Sequence, residues 1–161
     1  VHLAEGMGAA VISGGVLVRG AHGLAAEIAY APAGVQREGQ VSALFGAMES
    51  IGVVVSGSGR TIVDVGRVSA VLDRGGARAG AVVDAVRTVV LGACRLLDPA
   101  AVVLGGSWGR HPALVGGLRD ALARESGLEV EVRERELDEA PLVGACRAAV
   151  SALRDSLVPT P

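Results

Sequence analysis

The chain has 161 residues with 15 basic and 17 acidic groups, a formal net charge of −2. Every basic residue is arginine, which excludes Schiff-base chemistry and a phosphate-loop lysine. No basic stripe runs along the chain, so it lacks the concentrated positive face that nucleic-acid binding requires.

Half of the residues are hydrophobic and only 2% are aromatic, so a sizeable core can form and must be aliphatic. Glycine supplies 24 of 161 residues, about twice its usual share of ~7%, with no collagen-like period. These glycines are expected at turns and close backbone approaches. The length suits one domain, or one lobe of a larger protein.

In chain order, Val1 to Glu5 is a short apolar run, Gly6-Met7-Gly8 a turn, and Ala9 to Ser13 a second run. Gly14-Gly15 makes a second turn before Val16 to Arg19. Tight glycine turns between short apolar runs predict an antiparallel meander. Gln40 to Ser50 and Asp64 to Asp73 read as helices; Val53 to Arg60 has no clear pattern. Val82, Val86, Val89, Val90, Ala93 and Leu97 share one face of a helix over Arg78 to Leu97, which stops before Asp98-Pro99. Ala101 to Leu104 is a short buried strand ending in a glycine pair. Leu114, Leu118 and Leu122 mark a helix, and the strict alternation of Leu128 to Arg133 a strand with one wet face. Leu142, Cys146, Val150 and Leu153 mark a last helix, with Asp138 as its cap. The order of elements predicts an α/β fold with a mixed sheet and flanking helices.

Cys94 and Cys146 are single and far apart, which predicts a reducing, cytoplasmic setting, and both are expected as small buried hydrophobes. No apolar run reaches roughly 18 residues, so no membrane partner is expected. The first residues, without an initiating methionine, already read as strand. The chain is therefore expected to be the later part of something longer.

Three stretches stand in a telling order: VHLAEGMGAAVISGGVLVRGAHGLAAEIAY at the start, then LLDPAAVVLGGSWG, then EAPLVGACRAA. Together they resemble the C-terminal lobe of the ROK family, which comprises repressors, open reading frames and sugar kinases with an actin-like ATPase (ribonuclease H-like) fold. The resemblance runs from Val1 to about Leu153 and is poor over residues 31 to 75. It implies a single lobe over residues 1–157 and a frayed tail over 158–161, with the N-terminal lobe and any DNA-binding domain outside the chain.

The resemblance also assigns residues. Gly6 and Gly8 match a turn beside the ATP phosphates, and Gly105 and Gly106 match the glycine pair under the adenosine. Both pairs are explained more simply as tight turns at strand ends. The family pattern A-G-E-I-G-H, whose Glu and His hold sugar hydroxyls, appears here as Ala25-Ala26-Glu27-Ile28-Ala29-Tyr30. Glu27 can still accept two hydroxyl hydrogen bonds side by side, but Tyr30 stands in place of the histidine. Glu49 matches a second sugar-contacting glutamate, and His22 in the preceding loop either touches a ligand or faces solvent. The family's zinc cysteines have no counterpart, because no cysteine lies between Tyr30 and Val53. No metal or other cofactor is therefore expected, and ATP binding is vestigial at best. Trp108 either covers a ligand or packs inside; His2 and His111 read as surface or capping residues.

Two functions follow. One is the sugar-sensing, oligomerising lobe of a ROK-type transcriptional regulator that meets DNA only through a domain outside this chain. Its partners would be a sugar or sugar derivative and further copies of itself. The other is the C-terminal lobe of an ATP-dependent, glucokinase-like sugar kinase.

Overall fold

The structure, a computed structural model, describes residues 1–35, 41–57, 60–125, 127–137 and 139–157. In chain order come β1 (His2–Leu3), β2 (Met7–Gly8), β3 (Val11–Ser13), β4 (Val16–Val18), a 3-10 turn (Ile28–Tyr30), β5 (Pro32–Val35), β6 (Val41–Ala43) and α1 (Leu44–Ile51). Then follow β7 (Val54–Gly57), β8 (Arg60–Val63), α2 (Val65–Arg74), α3 (Gly76–Leu97), β9 (Ala101–Leu104), α4 (Pro112–Arg124), β10 (Glu131–Glu134) and α5 (Ala140–Leu157). The arrangement is mixed α/β, as the order of patterns in the sequence predicts, but the described strands pair as five two-stranded sheets where one mixed sheet was expected.

α3 is the central helix. Ala79, Val82, Ala85, Val86, Val89, Val90 and Cys94 recur at helical spacing and are all buried. It packs against α1, α2, α4 and β5. Gly117 on α4 lets α3 approach closely, since a Cβ there would lie 2.5 Å from Val83 Cγ1. The helix ends where Asp98 turns left-handed at φ 44°, just before Pro99. Leu97, expected on the buried stripe, is instead half exposed at this frayed end.

Local chemistry explains the neighbouring helices. Asp64 caps α2 by accepting a hydrogen bond from the Arg67 backbone N–H at 2.9 Å, and Val68, Val71 and Leu72 form its buried face. Pro112 opens α4, and the His111 ring accepts from the Ala113 N–H at 3.2 Å, so the capping role expected for His111 is the observed one. α4 is the crossover between β9 and β10, which pair in parallel with Val102 opposite Val132.

The predicted three-run meander is two separate hairpins. β1 pairs with β2 antiparallel, so Met7 and Gly8 are strand and the turn lies at Ala4 to Gly6. β3 pairs with β4 across Gly14 and Gly15, both at positive φ, as a tight primed turn requires. Ile12, Val16, Leu17 and Val18 of this second hairpin are exposed.

Four further strands had no signal in the sequence: β5 pairs with β6, and β7 with β8, both antiparallel. The helix expected over Gln40 to Ser50 is shortened to α1 because Val41 to Ala43 joins a strand. The strand expected over Leu128 to Arg133 begins later, at Glu131. The cap expected at Asp138 lies outside the described residues, as does the tail from residue 158. α5 forms where its apolar spacing predicts, yet none of its residues is buried, and Leu142, Val150, Leu153 and Leu157 all face outward. Cys146 is exposed with them, contrary to its expected burial.

β1 is bound to the turn after β9. The Val1 amino group donates to Val103 O at 2.7 Å, Gly105 N–H to Val1 O at 2.9 Å, and Leu3 N–H to Gly105 O at 2.8 Å. Trp108 then closes the join: its backbone N–H donates to Leu3 O at 3.2 Å and its indole Nε1–H to Ala4 O at 2.9 Å. The indole is only 1% exposed, so packing is its role. Gly106 sits at φ +93°, where a Cβ would come within 2.1 Å of Leu3 O.

Gly106→Ala therefore combines backbone strain with a collision against main chain. It is expected to lower unfolding free energy by more than ~2 kcal/mol. Gly116→Ala, in the interior of α4 with nothing within 4 Å of the added carbon, is expected to raise it by ~0.5–1 kcal/mol. Urea midpoints of the two variants check both signs.

Candidate functional site

The join between β1 and the Gly105–Trp108 turn opens a cleft of about 590 Å³ on its outer side. Gly6 and Gly8 line it from the first hairpin, Ser107 from the turn after β9, and Val65 from the first residue of α2. The first glycine turn and the segment following the second thus come together although about a hundred residues separate them in sequence. The bridge between His2 and Gly105 is what brings them side by side.

The glycines differ in what they need. Gly105 and Gly106 are buried, and Gly106 is required by the join itself. Gly6 and Gly8 have ordinary backbone conformations, and nothing lies within 4 Å of a Cβ built on either. The tight-turn explanation therefore accounts for Gly106 and not for Gly6 or Gly8. Bare backbone at these two positions leaves room for a ligand against the main chain.

The electrostatics of the cleft were not anticipated from the sequence. Glu5 lines it and is exposed, His2 is the one basic side chain in its lining, and no arginine reaches it among the described residues. The nearby N-terminus of α2 already has its carboxylate in the Asp64 cap. The position of Glu5, directly before Gly6-Met7-Gly8, was the signal available in the sequence.

The residues expected to grip a sugar do not line this cleft. Glu27 precedes the 3-10 turn, makes no side-chain capping bond and is exposed. Tyr30 is 78% exposed, and His22 and Glu49 are exposed as well. The turn packs on α1 through buried Ile28, so Tyr30 and Glu49 belong to touching elements. All four side chains are exposed, and none of them lines the glycine cleft.

No group of three or more His, Cys, Asp or Glu is placed to hold a metal among the described residues. Among them, too, no helix is long and apolar enough to cross a membrane. In the charged stretch near residue 133, Arg133 donates to Glu131 at 2.6 Å and holds its carboxyl below the usual range, on a fully solvated edge.

The structure superposes on the crystal structure of a ROK hexokinase from Thermus thermophilus with a TM-score of 0.61 at 22% identity. The chain shares the fold of a ROK hexokinase. The match covers 96% of this chain and 57% of that one, so the chain spans little more than half the length of the kinase. No profile of a known protein family and no curated protein matches the chain. At this identity the likeness speaks for the fold, and the ROK resemblance read from the glycine turns agrees with it.

The two thiols are expected to differ. Burial pushes the Cys94 thiol above its ordinary value, whereas Cys146 is exposed. A disulfide reagent at pH 8 should titrate one thiol rapidly in the native protein and the second only on unfolding. Protection of Cys146 would show that α5 is covered in solution.

Proposed function

We propose that this chain is the effector-binding and association lobe of a ROK-type transcriptional regulator, built on an actin-like ATPase framework and tuned to a sugar or sugar derivative. The observation that carries this reading is Glu5 in the glycine cleft. A polyphosphate entering there meets a carboxylate with no arginine to offset it. At ~4 Å, one such pair of like charges costs ~1 kcal/mol in bulk water and ~4 kcal/mol near a protein surface. Phosphoryl transfer needs a positioned base and a cationic clamp on the phosphates. Sensing needs only that a ligand bind one conformation better than another.

In this reading Glu27 accepts hydrogen bonds from vicinal hydroxyls, with Tyr30, His22 and Glu49 at the rim. Their exposure fits half of a site, the other half supplied by a lobe outside this chain. DNA is contacted through a further domain, also outside it. Association draws on the outward stripe of α5, since the apolar face of α3 is spent on the core.

The second reading, the C-terminal lobe of an ATP-dependent sugar kinase, is favoured by Gly6 and Gly8, whose lack of side chains nothing else in the fold explains.

The test uses the full natural chain with a panel of hexoses and amino sugars. At least one sugar is expected to raise the melting temperature, and Glu27→Ala is expected to weaken its binding by about tenfold or more. ADP release in a coupled assay is expected to stay at background. Turnover well above background assigns the kinase instead, and a Glu27→Ala variant that binds as tightly as the natural protein removes Glu27 from the site.

A further inference from the structure

A second cleft lies at the joint of α1, α2 and α3, lined by none of the four glycines of the first site, and its character is the reverse. It is an open cleft of about 470 Å³, within the range of small-molecule sites, and its arginines are exposed. A smaller hollow of about 280 Å³ adjoins it and shares Val71, Arg74 and Arg78. Three guanidinium groups line the pair: Arg67 and Arg74, seven residues and two turns apart on one face of α2, and Arg78 from the first turns of α3. Asp64 is the one carboxylate in either lining among the described residues.

The three arginines are held differently. Arg67 is steered by its ion pair with Asp64 at 3.3 Å. Arg78 donates to Ile51 O, at the end of α1, at 2.5 Å, which fixes one nitrogen and leaves the rest of its fork free. Arg74 has no hydrogen-bond or ion-pair partner among the described residues, although it lines both hollows. Asp64 already accepts from the Arg67 N–H as a helix cap, so its charge is partly spent. The hollow also borders the start of α3, where Gly75 offers no capping side chain.

We propose that this arginine-lined cleft binds a phosphate group, either free or carried on a small metabolite. The guanidinium fork matches phosphate oxygens two at a time, and arginines from two successive helices that line one cleft supply more than one such fork to a dianion. Arg74 is the gripping residue, and Arg67 and Arg78 are pre-positioned by their protein partners. The site is independent of the sugar-sensing surface, because none of Glu27, Tyr30, His22 and Glu49 lines it.

Calorimetry on the full natural chain, at fixed ionic strength, tests the proposal with inorganic phosphate, a hexose phosphate and the unphosphorylated hexose. Phosphate-dependent binding is expected, weakened about tenfold by Arg74→Gln. Arg74→Gln should change the melting temperature of the ligand-free protein only slightly, because Arg74 makes no hydrogen bond or ion pair among the described residues and loses only its exposed charge at the last turn of α2. Arg110→Gln, an exposed change outside both hollows, should bind as the natural protein does. Binding of the hexose phosphate that is tighter than that of inorganic phosphate and is lost in Arg74→Gln identifies the metabolite as the source; equal or weaker Arg74-dependent binding identifies the free ion. Phosphate binding that Arg74→Gln leaves intact, or no binding at millimolar phosphate, overturns the assignment; any response to the unphosphorylated hexose is expected to persist in Arg74→Gln, because it belongs to the separate sugar surface.

Discussion

The rest of the structure depends on the stitching of β1 into the turn after β9. The chain has one tryptophan, and the fold places it where its two polar groups can both be satisfied. The indole N–H reaches Ala4 O and the backbone N–H reaches Leu3 O, while the ring fills the core beneath. In an otherwise aliphatic interior this is the largest buried side chain. An indole buried with its N–H unpaired would cost ~1–3 kcal/mol, so the carbonyl of Ala4 is as necessary as the packing. The close approach is possible only because Gly106 has no Cβ to strike Leu3, and Gly109 none to strike Gly105 O at 2.1 Å. The placement of the first hairpin beside β9 and the shape of the glycine cleft both follow from this one join.

How much of this was legible in the sequence varies with how local the cause is. α2, α3 and α4 were readable because a buried face repeats at 3.6 residues and the caps, Asp64 and the His111-Pro112 pair, sit beside it. The Gly14-Gly15 turn was readable because positive φ at both positions is a local requirement. β5 to β8 were not, since their residues mix glycine, proline and serine with short valine runs, and their pairing is decided by contact with α1 and α3. The stripe on α5 was legible, but the burial expected for Cys146 on it was not observed, because periodicity reports an apolar face and says nothing of what covers it.

The candidate site divides in the same way. The glycines at 6, 8, 105 and 106 could be seen as special, but only the folded chain separates Gly106, which the join demands, from Gly6 and Gly8, which it does not. The acidic lining from Glu5 and the convergence of Arg67, Arg74 and Arg78 are properties of three-dimensional placement. No motif carries them: two of the arginines are on one helix and the third lies beyond a glycine break. The chain thus holds two clefts of opposite character, one built on bare backbone beside Glu5 and one lined by arginines. On the proposed reading, a lobe with this division of charge distinguishes small polar ligands by binding and leaves chemistry to other proteins.

Native-state hydrogen exchange at single-residue resolution tests the stitching most directly. The account predicts that the amides of Leu3, Gly105 and Trp108, together with the Trp108 indole, exchange only through global unfolding. The amides of the outlying β3–β4 hairpin should exchange far faster. If the four join protons exchanged as readily as those of that hairpin, β1 would be a loosely docked strand, and the cleft built on it would lose its foundation.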